Sequence, residues 1–300
     1  MILQEKWLEQ YFEDCEKGRG LSAHSLKAYR IDLKLFREEM NDFEKEIDKE
    51  SLKEFIRLLH NTYKPKSAKR KLASVKAFFR YLVFEDIIES NPFEKIRVDY
   101  REPKTLPKTI DRRTISTIYK LIEKDLENSK TQYQRTLNLR NLLVINILIS
   151  TGIRVSELCS IKLENINLRN RTILIEGKGK KERILHISLG DTVQLIGDYL
   201  KCVDRKEEFL FQSMKGEILD TNSIRHLLKK YSREAHLGKC LTPHQFRHTF
   251  ATMLLEQDVD IRIIQKILGH SSINTTAIYA DVAQSKIRQV MTKKNPIIRI

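Results

Sequence analysis

Apolar residues recur every three to four positions through the first hundred residues, which is the spacing of one helix face. This pattern predicts helices in QEKWLEQYFEDCEK and SAHSLKAYRIDLKLFREEM, a shorter one at about 50–60, and a long one that follows Pro65 and stops at Asn91-Pro92. No strand-like alternation interrupts them. The pattern therefore predicts a small four-helix domain.

The periodicity disappears in VDYREPKTLPKT, residues 98–109, where two prolines stand among several charged residues. Such a stretch is typical of an extended linker. We place the linker at 101–109, so that an N-terminal helical domain covers 1–100 and a second domain covers 110–300.

The second domain mixes two kinds of pattern. RTILIEGKGKKERILHI alternates apolar and polar residues on both sides of a glycine–lysine centre, which predicts a β-hairpin. Helical spacing is found at 111–127, 135–150, from Val155, and at 190–201, 221–236, 243–256 and 260–268. The predicted fold is therefore mainly α, with two domains, the second being mixed α+β with a small antiparallel sheet.

The charge of the chain narrows the class of partner. Lys and Arg number 55 against 40 Asp and Glu, a formal charge of +15, and they are spread through both halves. A broad basic surface favours nucleic acid first and an anionic membrane second. The longest apolar run, 142–149, is too short to cross a bilayer. Four scattered cysteines without a signal-peptide pattern suggest reduced thiols, so we expect a soluble, cytoplasmic protein.

Two glycine-containing segments carry candidate cations. STGIRVSEL presents Arg154 where one helix ends and another begins, and Glu157 could hold it, because a cation at a helix N-terminus needs a nearby anion. GKGKKER is a hairpin tip in which Lys178 lies nearest the strand, and it lacks the spacing of a P-loop. Taken singly, each cation is more often a solvated surface residue.

Two further segments add imidazoles, a guanidinium and a phenol. In TPHQFRHTF, Thr242 is a helix N-cap, and His244 and Arg247 follow on one helix face. KILGHSSINTTAIYADV supplies His270 and Tyr279. Capping, ion pairing or core packing would explain each of these residues if it stood alone.

Together the six residues suit attack on a phosphodiester. Guanidiniums bind phosphate oxygens through two hydrogen bonds, imidazoles add donors, a lysine can give a proton and a tyrosine can be the nucleophile. Such donors are most valuable where negative charge develops in the transition state. The chain offers no carboxylate cluster for Mg²⁺, so no metal is expected. A covalent intermediate would conserve the bond energy, so neither ATP nor another cofactor is expected.

The order Arg, Lys, His-x-x-Arg, His, Tyr resembles that of the tyrosine recombinases, the phage integrase family. It is most similar to Xer-type and integrative-element members, and the resemblance covers nearly the whole chain. TGIRVSEL resembles the first arginine box, GKGKKER the hairpin lysine, TPHQFRHTFAT the His-x-x-Arg box, and LGHSSINTTAIYADV the final histidine and nucleophile box. Ile153 and Phe246 stand where leucine is more usual, and both are packing changes.

The resemblance implies roles for these residues. Tyr279 would attack the scissile phosphate to form a 3′-phosphotyrosyl bond, and Lys178 would protonate the leaving 5′ oxygen. The remaining residues would hold the phosphate, with Glu157 orienting the first arginine. The implied catalytic set is Arg154, Lys178, His244, Arg247, His270 and Tyr279.

The resemblance also implies partners. The N-terminal domain would be a SAM-like core-binding domain that clamps double-stranded DNA at specific recombination sites. Four subunits would act through a Holliday junction, as a homotetramer or as a heterotetramer with a related recombinase. Candidate phosphate contacts, which could instead form a merely solvated face, are Lys64, Lys66, Lys69, Arg70, Lys71 and Lys76.

Two alternatives use the same residues differently. A type IB topoisomerase would relax supercoils without exchanging sites, and a non-catalytic DNA-binding regulator would not need Tyr279. The separate basic N-terminal domain favours recombination, and the intact polar set argues against a regulator. Chromosome-dimer resolution and the integration or excision of a mobile element remain equally open.

Overall fold

The computed structural model describes residues 3–41, 44, 46–98, 108–177, 182–187, 189–203, 208–213 and 217–269. The chain divides into two compact units, Met1–Lys104 and Thr105–Ile300. The division lies within the segment expected to be a linker. No helix among the described residues is long and apolar enough to cross a membrane.

The described residues of the first unit form four α-helices. These are α1 (Glu5–Glu13, continued by a π-helical turn at Asp14–Gly18), α2 (Ala23–Glu39), α3 (Lys49–Thr62) and α4 (Pro65–Phe84). Their apolar faces meet in an aromatic core, in which Phe36 contacts Phe55 edge to face with ring centroids 4.9 Å apart. Phe78 and Phe79 of α4 are fully buried in the same core.

A buried carboxylate ties α2 to α4. Asp32 is fully buried and accepts hydrogen bonds from Arg70, Lys71 and Ser74 of α4, with Arg70 Nη2 at 2.9 Å and Ser74 Oγ at 2.8 Å. A buried charge is tolerated when it is paired and hydrogen-bonded in this way. Part of the basic sequence of α4 therefore neutralises this group.

The second unit combines helices with a small sheet. Its helices are α5 (Arg112–Glu127), α6 (Gln132–Thr151), α7 (Val155–Cys159), α8 (Gly190–Leu200), α9 (Thr221–Glu234), α10 (Pro243–Glu256) and α11 (Ile261–Leu268). Its strands are β1 (Ile166–Asn167), β2 (Thr172–Glu176) and β3 (Glu182–His186), paired antiparallel in the order β1-β2-β3. These features confirm the predicted fold class.

Helix α6 is the centre of the second unit. The run from Leu142 to Ile145 is buried without a break, so the helix is covered on several sides. It ends at Gly152, whose φ of 60° is left-handed, and α11 ends in the same way at Gly269, with φ 65°. A glycine suits this conformation because it has no Cβ to clash with the backbone.

Candidate active site

Two helix ends form the base of the candidate site. The last carbonyls of a helix have no partner within it, and they carry the negative end of its dipole. Arg247 of α10 satisfies one carbonyl at each end: its Nη1 donates to Gly152 O at 2.8 Å and its Nη2 to Leu268 O at 2.7 Å. This residue is 5% exposed. Arg247 therefore fastens the end of α6 to the end of α11.

Arg154 also binds the C-terminal end of α11. It precedes α7, and its Nη2 donates to Gly269 O at 2.9 Å, one residue beyond the carbonyl that Arg247 uses. Its side chain is 38% exposed. The structure thus brings the two predicted arginines to consecutive carbonyls of one helix terminus, with Arg154 the more accessible of the two.

Glu157 lies behind Arg154. Its carboxylate accepts a hydrogen bond from Arg154 Nη1 at 2.8 Å and one from the Arg154 main-chain N–H at 3.0 Å. Burial favours a higher pKa for this carboxyl, but the hydrogen bonds from Arg183 and Arg154 outweigh it and lower the pKa to about 2. Glu157 is therefore ionised at neutral pH.

Arg183 of β3 is a component that sequence reasoning missed. Its Nη1 and Nη2 donate to the two oxygens of Glu157, both at 2.8 Å, and its side chain is 15% exposed. GKGKKER was interpreted only as a basic hairpin tip. A signal was present, because Arg183 shares a face of the strand with buried Leu185 and an arginine there needs an acidic partner.

The histidines of α10 occupy its first two turns. The predicted capping box is present: Gln245 N–H donates to Thr242 Oγ1 at 3.4 Å, and Thr242 N–H donates to Gln245 Oε1 at 2.8 Å. His244 is exposed, one turn before Arg247. Burial, together with the nearby His244 and Arg247, lowers the pKa of His248. His248 is therefore neutral at neutral pH.

Three of the predicted catalytic residues lie outside the described residues. They are Lys178, His270 and Tyr279. Their roles remain predictions. Within the described part of the chain, no three histidine, cysteine or acidic side chains cluster closely enough to hold a metal ion.

The six predicted phosphate contacts of the first unit differ in their exposure to solvent. Lys64, Lys66, Lys69 and Arg70 are exposed, although Arg70 also bonds Asp32. Lys76 is half-buried, with its ammonium 5.5 Å from the Phe93 ring centroid.

Lys71 differs from the other five cations. It is buried, with its ammonium 3.3 Å from Asp32 Oδ1 and 4.6 Å from the centroid of the Tyr63 ring. The helical period explains this placement, because Lys71 shares a face of α4 with buried Val75 and Phe78. Its ammonium is therefore engaged inside the unit and is not presented to a phosphate in this structure.

Comparison with known proteins places these features in a family. Residues 109–286 match the phage integrase family, and residues 8–86 match the phage integrase N-terminal SAM-like domain. A tyrosine recombinase of Agathobacter rectalis is 43% identical over 295 residues, which cover 96% of each chain. Tyrosine recombinase XerD of Staphylococcus epidermidis is 32% identical over 302 residues, covering 96% of this chain and 98% of its own.

Solved structures share the architecture. The crystal structure of XerA recombinase aligns with a TM-score of 0.53 at 28% identity, covering 97% of this chain and 99% of its own. XerH site-specific recombinase bound to palindromic difH substrate, a post-cleavage complex, aligns with a TM-score of 0.75 at 24% identity, covering 93% and 82%. The likeness to XerH shows the fold. From its sequence relatives and its domain matches, this chain belongs to the phage integrase family and is a tyrosine recombinase, as its sequence predicted.

Proposed function

We propose that this protein is a site-specific DNA recombinase that cleaves a strand through a 3′-phosphotyrosyl intermediate at Tyr279. The observation that carries the proposal is the convergence of Arg154 and Arg247 on consecutive carbonyls at the end of α11. Two guanidiniums fixed at one point, in a member of this family, suit a single phosphate.

Arg154 has donors left for that phosphate. A guanidinium has five N–H groups, and Arg154 gives one to Glu157 and one to Gly269 O. The other three have no acceptor among the described residues. Donors that are already fixed need no reorganisation when charge develops on the phosphate oxygens. We therefore expect Arg154→Gln to slow cleavage by about 100- to 1,000-fold.

The chemical step balances with the predicted residues. The Tyr279 hydroxyl loses its proton to water as its oxygen attacks phosphorus, the bond to the 5′ oxygen breaks, and Lys178 gives that oxygen a proton. His244 and His270 donate hydrogen bonds to the non-bridging oxygens. Rejoining is the reverse: a 5′-hydroxyl attacks the phosphotyrosine and releases the phenol. The phosphoester energy is conserved, so the proposal requires no ATP.

The substrate is double-stranded DNA that carries two recombination sites. Solved relatives include XerH bound to difH substrate and a lambda integrase tetramer bound to a Holliday junction. By extension, this chain acts as a homotetramer, or as a heterotetramer with a related recombinase, and passes through a Holliday junction. The exposed cations Lys64 and Lys66 support DNA contact by the first unit. Its setting is the cytoplasm, where the chromosome and mobile elements supply such sites.

A nicked suicide substrate tests the proposal. The wild-type protein should form a covalent protein–DNA adduct, and Tyr279→Phe should form none. Tyr133→Phe, which alters an exposed tyrosine of α6, is the matched control and should react normally. An adduct that persists in Tyr279→Phe would contradict the assigned nucleophile.

A two-site plasmid separates recombination from topoisomerase activity. Resolution or inversion of the plasmid, dependent on both sites and on Tyr279, is the expected product. Relaxation that does not depend on the sites would instead identify a type IB topoisomerase.

A further inference from the structure

One carboxylate is shared by two arginines from different elements. Arg183 of β3 binds both oxygens of Glu157 in a parallel fork, and Arg154 binds the same group through a single Nη nitrogen and its main-chain N–H. Fork-to-fork pairing is the preferred geometry of a guanidinium with a carboxylate. In this structure Arg183 has that geometry and Arg154 does not.

Arg183 also packs against the residue that orients Arg154. A methyl group placed on Gly269 would lie 3.0 Å from Arg183 Nη1, so the guanidinium rests directly on this glycine. The Gly269 carbonyl accepts the Arg154 Nη2 hydrogen bond at 2.9 Å. Arg183, Glu157, Arg154 and Gly269 thus form a closed ring of contacts.

The hairpin holds Arg183 in this ring. In the β2–β3 ladder, Arg183 pairs with Ile175, and the next pair on the same face of the sheet is Ile173 with Leu185. These three apolar residues are buried in the core of the second unit. The position of Arg183 is therefore fixed by strand pairing and by the packing of β2 and β3 into this core.

We infer that Arg183 is a positioning residue that occupies Glu157 and so keeps Arg154 from closing a two-pronged ion pair with it. The inference rests on the proposed function, in which Arg154 binds the scissile phosphate. With Arg183 in place, Arg154 holds one nitrogen on Glu157 and one on Gly269 and offers its remaining N–H groups to DNA. Without Arg183, both Arg154 nitrogens turn to the carboxylate, and the phosphate loses donors.

The first test is single-turnover cleavage of the nicked substrate at saturating protein. Arg183→Gln should cleave about 100-fold more slowly, since a misplacement of about 1 Å can have that effect. The protein concentration that half-saturates the DNA should stay within about twofold of the wild-type value, because most of the DNA contacts are unchanged. Arg169→Gln, in the exposed turn between β1 and β2, is the matched control and should cleave at the wild-type rate.

The second test separates positioning from a merely structural role. Glu157→Gln combined with Arg183→Gln leaves a neutral amide that cannot capture Arg154, so the double variant should cleave at least about tenfold faster than Arg183→Gln. Arg183→Lys keeps the positive charge but not the forked geometry, so it should recover part of the cleavage rate. It also keeps the test informative if Arg183→Gln does not fold. A double variant as slow as Arg183→Gln, or slower, would overturn the inference.

The outcomes also separate this inference from the proposed function. If the wild-type protein forms no Tyr279-dependent adduct, the proposed function is wrong, and so is the inference that depends on it. If the wild-type protein forms the adduct and Arg183→Gln cleaves at the same rate, the inference fails alone. A matching loss of rate and of DNA affinity in Arg183→Gln would also overturn it, because that result indicates lost structure.

Discussion

At the scale of single residues, the cations of the site have different kinds of partner. Arg247 donates to main-chain carbonyls at two helix ends, Arg154 divides its donors between one such carbonyl and Glu157, and Arg183 gives both Nη nitrogens to Glu157. A carbonyl orients a guanidinium without cancelling its charge. The carboxylate of Glu157 therefore neutralises mainly Arg183, which lies on β3.

Glu157 makes the stability of the protein depend on acid. Its pKa in the folded state is about 2, against an ordinary value of 4.5, so it stabilises the fold fully above pH 4.5 and loses that contribution as the pH falls towards 2. Glu157→Gln should be less stable than the wild type by about 3 kcal/mol at neutral pH, since it leaves buried cations without their anion. Urea unfolding at pH 7, 4.5 and about 3 measures the difference between the two proteins, which should shrink with falling pH.

The comparison isolates Glu157, because it is the only acidic residue by which the two proteins differ. A difference that stays constant down to pH 3 would show that the carboxylate is not held in its charged form by these arginines.

Single-residue predictions from sequence succeeded where a residue's local neighbours decide its surroundings. Glu157 is three positions after Arg154 at a helix start, so their contact could be anticipated. Arg183 is 26 positions from Glu157, and their pairing depends on how the hairpin packs against α7. Lys71 was grouped with exposed cations because a basic run hides the helical period, which turns this one side chain inward.

At the scale of elements, the left-handed ends of α6 and α11 decide where the arginines bind. Gly152 combines a φ of 60° with close packing, since a methyl group there would lie 2.5 Å from Phe250 Cδ1 and 3.0 Å from Leu268 Cδ2. Both the backbone conformation and the space exclude a side chain. The end of α6 can therefore approach α10 and α11 only through glycine.

Gly152→Ala should destabilise the second unit by about 2 kcal/mol or more, because it adds left-handed strain to a steric clash. Gly197→Ala is the matched control: this glycine lies inside α8 with no atom near its missing Cβ, so alanine should be neutral or up to about 1 kcal/mol stabilising. Urea unfolding measures the free energy of unfolding of the wild type and of the two variants. Equal stability of the two variants would contradict the role assigned to the α6 terminus.

Most elements could be predicted from the sequence because their periodicity is long and their ends are marked. The capping residues Thr242 and Gln245 and the glycine after α11 are local signals. Strand β1 was missed because two residues, Ile166–Asn167, are too short to show an alternation. It is defined only by its pairing with β2, which a local pattern does not contain.

At the scale of the whole molecule, the formal charge of +15 makes DNA binding sensitive to salt. Lys66 is exposed at the start of α4, whereas Lys71 is turned towards Asp32. Lys66→Gln should therefore lower the slope of log affinity against log salt by about one unit, and Lys71→Met should leave the slope unchanged. Fluorescence anisotropy with a labelled duplex between about 50 and 200 mM salt measures both.

A Lys71→Met slope that falls as far as that of Lys66→Gln would show that Lys71 leaves its buried position to bind phosphate. A fall in affinity for Lys71→Met that is the same at every salt concentration would instead reflect the loss of a partner of Asp32.

The sharing of Glu157 sets the electrostatic balance of the candidate active site. Within the described part of the chain, the ring and neighbouring Arg247 together contain three guanidiniums and one carboxylate, which leaves a surplus of two positive charges. A phosphodiester carries one negative charge at rest and gains a second as the fifth bond forms. The surplus of two positive charges therefore matches the doubly charged, five-coordinate transition state more closely than the singly charged diester. An arrangement of this kind binds the transition state more tightly than the bound substrate.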